Sequence, residues 1–304
     1  MGGGKRLRPA LCLWGYVAAG GDPDDEIVID AGAACELMHA SALFHDDVID
    51  DAPRRRGLVT THTVFADHHR QGDWGGEGRR FGEGMAILIG DVATAYGDQL
   101  VAEVNPVARS VWNEMRVEVN VGQILDVLGS ARGVRDLAQA ERICRYKSGK
   151  YSVERPLHLG AALAAPDRFD QLAPALSAYG LPLGEAFQMR DDVMGAFGDE
   201  AMTGKPVGGD LREGKPTPLL ARALGSASPA QRMVLNQVGN PDLTDDEVKA
   251  IQDVIVATGA LAELEATIAE RYNSALAALQ TEVITESARR GLAELAVYIT
   301  RRTI

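Results

Sequence analysis

Ala31-Gly32-Ala33-Ala34-Cys35-Glu36-Leu37-Met38-His39-Ala40-Ser41-Ala42-Leu43-Phe44-His45-Asp46-Asp47-Val48-Ile49-Asp50-Asp51 reads as one long helix that ends in acid. Leu37, Ser41, Phe44 and Val48 recur at helical spacing. On such a helix Asp46 and Asp50 lie one turn apart on one face, about 5–6 Å between Cβ atoms, and Asp47 and Asp51 make a second pair. Like charges at this spacing destabilise a helix by a few tenths of a kcal/mol per pair. A hard divalent cation supplies a reason to keep them, because Mg²⁺ takes oxygen ligands and bridges one or two carboxylates to a phosphate. The plain alternative is a solvated acidic helix end.

A second acidic step, Gln188-Met189-Arg190-Asp191-Asp192-Val193-Met194-Gly195, follows on a helical run over Gly184–Phe197. Two such clusters on separate helices can face each other across a cavity, as inward carboxylates do in helix bundles. Helix signals dominate elsewhere and period-two alternation is rare, so the expected class is all-α. The tail from Leu261 to Ile304 reads as two or more amphipathic helices, with Leu276, Leu279, Leu292 and Leu295 on apolar faces. Gly72 to Gly84, with six glycines, reads as a long surface loop, and Thr203 to Pro218 reads as another. Loops this long are uncommon in compact domains unless they work at a site. No repeat or linker divides residues 1–304, so one domain is expected.

With 304 residues of which 46% are hydrophobic, the chain can build a large core. A formal net charge of −12 argues against a nucleic-acid partner, since such proteins present a basic face. Cys12, Cys35 and Cys144 are scattered and odd in number, which suits a reducing cytoplasm better than a disulfide framework. No apolar run approaches the ~18 residues of a membrane span, so no transmembrane segment is expected.

Cations come in tight sets. Gly2-Gly3-Gly4-Lys5-Arg6-Leu7-Arg8-Pro9 opens the chain, and flexible glycines beside Lys and Arg suit a phosphate cradle. Arg54-Arg55-Arg56-Gly57 follows the first acidic cluster, and arginine matches phosphate oxygens through a bidentate fork. Lys147 and Lys150 lie mid-chain, and Lys205 and Lys215 follow the second cluster. Each set alone also reads as a solvated surface, and His39 alone reads as a core histidine.

In order, these motifs resemble the trans-isoprenyl diphosphate synthases, or polyprenyl synthetases. The resemblance rests on Gly3-Gly4-Lys5-Arg6-Leu7-Arg8-Pro9, Glu36-Leu37-Met38-His39, His45-Asp46-Asp47-Val48-Ile49-Asp50-Asp51, Arg55-Arg56-Gly57 with Thr61-His62, and Gly90-Asp91. It continues through Gly122-Gln123 with Asp126, Lys147-Ser148-Gly149-Lys150-Tyr151, Phe187-Gln188-Met189-Arg190-Asp191-Asp192, Gly204-Lys205-Pro206 and Gly214-Lys215. The run Arg190 to Gly195 with Phe197-Gly198-Asp199 is most similar to actinobacterial members.

The resemblance implies an isoprenoid synthase helical bundle around a central cavity and a homodimer, for which the apolar stripes of the tail are the expected surface. It implies a prenyltransferase that joins isopentenyl diphosphate to an allylic diphosphate with Mg²⁺, three ions per site. Asp46, Asp47 and Asp50 would hold metal on one side, and Asp191 with Asp192 on the other. Arg55, Lys147 and Lys205 would hold the allylic diphosphate, and Lys5, Arg8, His39 and Arg56 isopentenyl diphosphate. Ser148, which keeps a hydroxyl where threonine is usual, and Lys215 join the substrate-binding set, and Gln188 would lie near the developing cation. The family's second motif commonly ends in a third aspartate, where this chain has Gly195. Replacing Gly195 with Asp is expected to change activity little.

A class I terpene cyclase needs only one diphosphate site and a non-catalytic partner subunit needs no metal ligands; the paired cationic sets and the intact first cluster favour the synthase. A C20 product, geranylgeranyl diphosphate, is expected because Ser41 and Ala42 are small, with Met38 about 12 Å up the helix as the first bulky floor. Farnesyl or longer products are the alternative.

Overall fold

The computed structural model describes residues 5–133, 135–198 and 207–300. Helices α1 (Leu7–Ala18), α2 (Glu26–Ile49), α3 (Thr61–Gln71), α4 (Gly78–Leu100), α5 (Pro106–Ala131) and α6 (Leu137–Ile143) form the first part. A π-helical segment, Cys144–Glu154, then runs into α7 (Arg155–Ala164) and the long α8 (Phe169–Phe197). Helices α9 (Gly209–Glu213), α10 (Pro218–Ser226), α11 (Pro229–Leu235), α12 (Asp245–Ala257), α13 (Ala260–Ala278) and α14 (Glu286–Thr300) complete it. The all-α expectation holds; the strands are β1 (Arg54–Arg55) and β2 (Leu58–Val59), an antiparallel pair with Arg54 opposite Val59.

Helix starts follow local chemistry. Asn105 Oδ1 accepts from the backbone N–H groups of Val107 and Ala108, and Pro106 occupies the first turn of α5. Thr244 and Glu247 form a reciprocal capping box on α12. Buried apolar side chains gather in three groups. Leu11, Leu157, Leu176, Leu183 and Leu292 join α1, α7, α8 and α14. Met189, Val193, Leu219, Ile251 and Leu264 tie α8 to α10, α12 and α13. Cys12, Met38, Trp112, Met115 and Leu159 tie α1 and α2 to α5 and α7.

Several expectations change. Residues 72–77 alone link α3 to α4, because Gly78 to Gly84 are helical. Gly82 belongs to a helix contact: a Cβ there would stand 2.1 Å from the His62 carbonyl oxygen of α3. The run expected over Gly184–Phe197 begins at Phe169 and passes through Pro174 and Pro182. Of Thr203–Pro218, residues 203–206 lie outside the described residues, and the remainder contains α9 and the start of α10. Among the described residues one helix, α2, is long and apolar enough to cross a membrane by length and composition, contrary to the expected absence of such a run; its most apolar 18 residues have mean hydropathy 1.4 and are 44% buried. The helix packs on α1 and α4, and its buried residues are mostly small, Ala31, Gly32, Ala34, Cys35, Ala40 and Ser41 among them.

The tail forms α13 and α14 within the described residues, but its leucines turn inward: Leu292 is fully buried and Leu279 nearly so. The exposed apolar stripe lies elsewhere. Leu88, Val92 and Tyr96 on α4, and Val117, Val121, Ile124 and Leu128 on α5, are 40–62% exposed.

Candidate active site

The acidic run of α2 straddles a helix end. Asp46 and Asp47 lie in the last turn, Asp50 caps the helix, and Asp51 turns left-handed at φ 48°. Asp51 therefore leaves the face expected to pair it with Asp47, and its carboxylate lies 4.0 Å from His62 Nε2. Carboxylates at a helix C-terminus face the negative end of its dipole, so they need cations. The chain supplies them from three other elements. Arg55, on the hairpin, donates from Nη2 to Asp46 at 2.9 Å and from Nε to Asp47. Lys147, on the π segment, lies 3.5 Å from Asp46 and pairs with Asp126 of α5. Lys215 lies 3.4 Å from Asp50 Oδ2. Gln123 of α5 donates to Asp46 at 3.0 Å.

Close backbone packing aims Lys147. A Cβ at Gly122 would stand 2.4 Å from the Lys147 nitrogen, and one at Gly184 2.5 Å from the Gly149 oxygen. Glycines on α5 and α8 thus let both helices close on the π segment. The hairpin aims Arg55 and Arg56 by a similar economy. Arg56 and Gly57 both have positive φ, 52° and 75°, as a two-residue type I′ turn requires. Arg56 is not a residue favoured there, and left-handed arginine costs about 1–2 kcal/mol.

The opposite wall is α8. Asp191 and Asp192 line the same cavity of about 760 Å³ as Asp46 and Asp47. Gln188 Nε2 donates to Asp192 Oδ1 at 2.8 Å. Arg190 points away and holds Glu265 of α13 through two bonds of 2.5 and 2.7 Å. Asp210 of α9 reaches the cavity beside Gly195.

Cations collect at one end. Arg8 stacks 4.4 Å over the Tyr151 ring and donates to Ser152 Oγ at 2.7 Å. Lys5 lies 5.6 Å over the Tyr298 ring and lines the cavity with Arg56 and Ser148. Burial, reinforced by the charges of Arg8, Arg56, Arg55 and Arg6, pushes the His39 pKa down to about 2, so its imidazole is neutral. Burial and then Arg55 and Arg8 also lower the Arg56 pKa. Cations that disfavour each other's charge make a site that gains from an anion.

The acidic groups divide. Burial works against the charge of Asp46, but Lys147, Arg55, Lys215 and the Gln123 bond outweigh it and hold the pKa near about 2. For Asp47 and Asp50 burial wins over Arg55 and Lys215 respectively, and both pKa values rise. Burial pushes Asp192 up to about 8; Gln188 opposes this and the charges of Asp210 and Asp191 add to it.

The residues fit Mg²⁺ on that chemistry. Asp50 Oδ2 is buried and makes no hydrogen bond, with the Lys215 ammonium 3.4 Å away, and Asp192 is a carboxyl whose ionisation needs another cation. Among the described residues no three His, Cys, Asp or Glu side chains converge to hold an ion alone. Mg²⁺ does not need that, since it keeps waters and takes substrate phosphate oxygens beside one or two carboxylates.

Of the residues expected at the site, Asp46, Asp47, Arg55, Lys147, Ser148, Gln188, Asp191, Asp192, Lys5, Arg8, His39, Arg56 and Lys215 line this cavity. Asp50 reaches its edge through Lys215. Lys205 and the glycines of the opening motif lie outside the described residues. The chain-length residues do not line it: Met38 is in the core, Ser41 accepts a bond of 2.9 Å from Thr94 on α4, and Ala40, Leu43 and Phe44 face the cavity instead. Residues not foreseen are Gln123 and Asp126 as supports of Asp46 and Lys147, Tyr151 and Ser152 under Arg8, and Asp210. Gln123 and Asp126 are three apart on one helix beside Gly122, a signal present in the sequence.

The geranylgeranyl pyrophosphate synthase of Corynebacterium glutamicum, solved in complex with isoprenyl diphosphate and magnesium, superposes with a TM-score of 0.93 at 38% identity, over 99% of this chain and 87% of that one. The polyprenyl synthase of Caulobacter crescentus CB15, complexed with calcium and isoprenyl diphosphate, gives 0.83 at 28% identity over 99% and 86%. The geranylfarnesyl diphosphate synthase of Aeropyrum pernix is 32% identical over 268 residues, 85% of this chain and 77% of its own length. Other curated relatives are named as farnesyl and nonaprenyl diphosphate synthases. Residues 1–255 match the model of the polyprenyl synthetase family. With that match, the cavity and these relatives, the chain belongs to the polyprenyl synthetase family of head-to-tail prenyltransferases.

Proposed function

We propose that this chain condenses isopentenyl diphosphate with an allylic diphosphate and releases mainly geranylgeranyl diphosphate, C20. The observation that carries this reading is one cavity with two anion-binding regions: two facing acidic walls, and a separate cationic end built from Lys5, Arg8 and Arg56 around the neutral His39. The C20 assignment draws on the Corynebacterium glutamicum relative and on the small Ala40 of the α2 wall.

Asp46, Asp47, Asp50, Asp191 and Asp192 would hold Mg²⁺, which when bound would supply Lewis-acid stabilisation to the departing diphosphate. Arg55 and Lys147 are held in place before the allylic diphosphate arrives, so little reorganisation is needed during reaction, and Lys205 joins them in gripping it. Lys5, Arg8 and Arg56 hold isopentenyl diphosphate with its alkene toward the allylic carbon. Leu43, Phe44, Ile143 and Phe187 keep water from the carbocation, which would otherwise become an alcohol. Gln188, a neutral amide that lines the cavity, would lie near that positive charge. A histidine with a pKa of about 2 is too weak a base for the final deprotonation, so the departing diphosphate takes the proton.

The whole chain acts as one enzyme domain in the cytoplasm, where its three buried free cysteines stay reduced. It works as a homodimer, joined through the exposed stripe of α4 and α5 rather than through the tail helices.

The test is labelled isopentenyl diphosphate offered with dimethylallyl, geranyl and farnesyl starters, with and without Mg²⁺. Mg²⁺-dependent product ending at C20 is expected. No product above background with all three starters overturns the reading.

A further inference from the structure

Glu114, Glu118, Gly122 and Asp126 recur every four residues on α5 and form one ridge, at about 6 Å per step. The π segment and the start of α7 answer that ridge in order. Lys147 Nζ pairs with Asp126, and the Lys147 backbone packs on Gly122. Lys150 Nζ stands 2.7 Å from Glu118 Oε1. Arg155 donates from Nε to Glu118 Oε2 at 2.6 Å, and from Nη2 to Glu118 Oε1 at 2.8 Å and to Glu114 Oε1 at 2.7 Å. Lys147 and Asp126 line the cavity, whereas Glu114, Glu118, Lys150 and Arg155 stand outside it.

The winding of the segment lets Glu118 hold two cations at once. The Arg155 N–H donates to the Lys150 carbonyl, a step of five residues that sets Arg155 one turn beyond Lys150. On an α-helix two residues five apart would point about 140° away from each other. Burial works against the charge of Glu118, but the bonds from Arg155 and Lys150 outweigh it and its pKa is lowered. Apolar side chains would seal this seam about as well, because desolvation offsets much of what buried ions gain by pairing. What ions add is register.

We propose that Glu118 is a positioning residue: by binding Lys150 and Arg155 together it holds Cys144–Glu154 in its π winding, and that winding turns Lys147 into the cavity. The role presupposes the condensation proposed above. The other carboxylate beside Lys150, Glu154 at 3.4 Å, belongs to the same segment and cannot tie it to α5. Lys150 pins the half that carries Lys147. Arg155 pins the half that carries Ser152, on which Arg8 rests.

The test is steady-state kinetics with each substrate varied in turn, beside urea unfolding, for the full-length parent, Lys150→Met, Lys150→Arg and Glu118→Gln. Lys150→Met is expected to lower kcat/KM for the allylic diphosphate by about ten- to a hundredfold and to leave the KM for isopentenyl diphosphate within about twofold of the parent's. Lys150→Arg, which restores the charge, is expected near the parent. Glu118→Gln frees both pins and is expected to raise the KM for both substrates. Three results overturn the inference: parent-like allylic kinetics in Lys150→Met or Glu118→Gln, equal KM changes for the two substrates in Lys150→Met, or a Lys150→Arg no better than Lys150→Met. If Glu118→Gln does not fold, the two Lys150 variants still decide. A parent that condenses no substrates overturns the functional reading instead.

Discussion

At the end of α2, Asp46 lies 3.5 Å from Lys147 and accepts hydrogen bonds from Arg55 and Gln123. Across the cavity Asp192 accepts one from Gln188, an uncharged amide, and meets the charges of Asp210 and Asp191, with Lys215 opposing them. Two buried aspartates of one cavity therefore hold opposite protonation states near neutrality: ionised down to about 2 for Asp46, neutral up to about 8 for Asp192. Burial costs both alike; the supply of cations within the chain separates them. Asp46 is held ionised by the fold itself, whereas Asp192 ionises when a cation arrives from outside.

The largest effect should come from breaking the pre-set wall. Asp46→Ala removes the acceptor shared by Arg55, Gln123 and Lys147 and should lower kcat/KM by roughly three orders of magnitude. Asp192→Ala should cost about ten- to a hundredfold, and mostly through the metal concentration required. Steady-state kinetics across an Mg²⁺ titration measures both. Equal losses, with no change in metal dependence for Asp192→Ala, would remove the distinction between the walls.

Stability against pH sharpens it. Asp192 has a folded pKa of about 8 against 3.8, so the native state binds the extra proton between those values and metal-free stability falls as pH rises through that window. Asp46 has the opposite sign: its pairing stabilises above 3.8 and is lost as pH falls toward 2. Asp192→Asn should therefore stabilise the metal-free protein at pH 8, by an amount on the order of a few kcal/mol, and change little at pH 5. Urea unfolding at the two pH values reads this. A variant that shifts both equally contradicts the assignment of the proton to Asp192.

The π segment between the walls gives a smaller effect. Gly122→Ala places a methyl 2.4 Å from the Lys147 nitrogen, so α5 and the segment must part. Overpacking of this kind costs about 1–3 kcal/mol. Because Lys147 serves Asp46, turnover should fall further than the loss of stability explains, and the Asp192 pH dependence should persist. Unchanged kcat in a destabilised Gly122→Ala would show that Lys147 needs no such positioning.

What could be read from the sequence follows from these contacts. The acidic and arginine runs are local, so their residue types reveal them without any fold. The helix end at Asp50, which turns Asp51 out of the set, depends on a cap that helical spacing does not foretell. Asp210 was invisible because its place in the cavity depends on α9 lying against Gly195 of α8, 15 residues away in sequence. The glycines of 78–84 misled for the same reason: Gly82 is small for the sake of α3, and composition alone reads smallness as a loop. Likewise the tail leucines read as a stripe, and only tertiary packing says that the stripe is buried while that of α4 and α5 is not.

Product length should respond to the smallest energies, since a tenfold change in product ratio is about 1.4 kcal/mol. Glu36, His39, Ala40, Leu43, Phe44 and Asp47 recur every three or four residues and form the cavity face of α2. Ser41 sits on the α4 side, bonded to Thr94, and Met38 is nearly buried against the core of α1 and α5. Ala40 lies about 9 Å along the helix from Asp46, at the depth where a growing chain would pass. Ala40→Phe should then shift product toward C15. Met38→Ala should leave the product profile alone and instead cost about 2–5 kcal/mol as a core cavity. Ser41→Phe should strain the α2–α4 seam before it shortens any product. Chromatography of the products of the three variants, with unfolding curves for each, distinguishes the faces. If Ser41→Phe shortens the product and Ala40→Phe does not, the prenyl chain runs between α2 and α4, and the α2 wall steers its tail by a different face from the one that lines the diphosphate cavity.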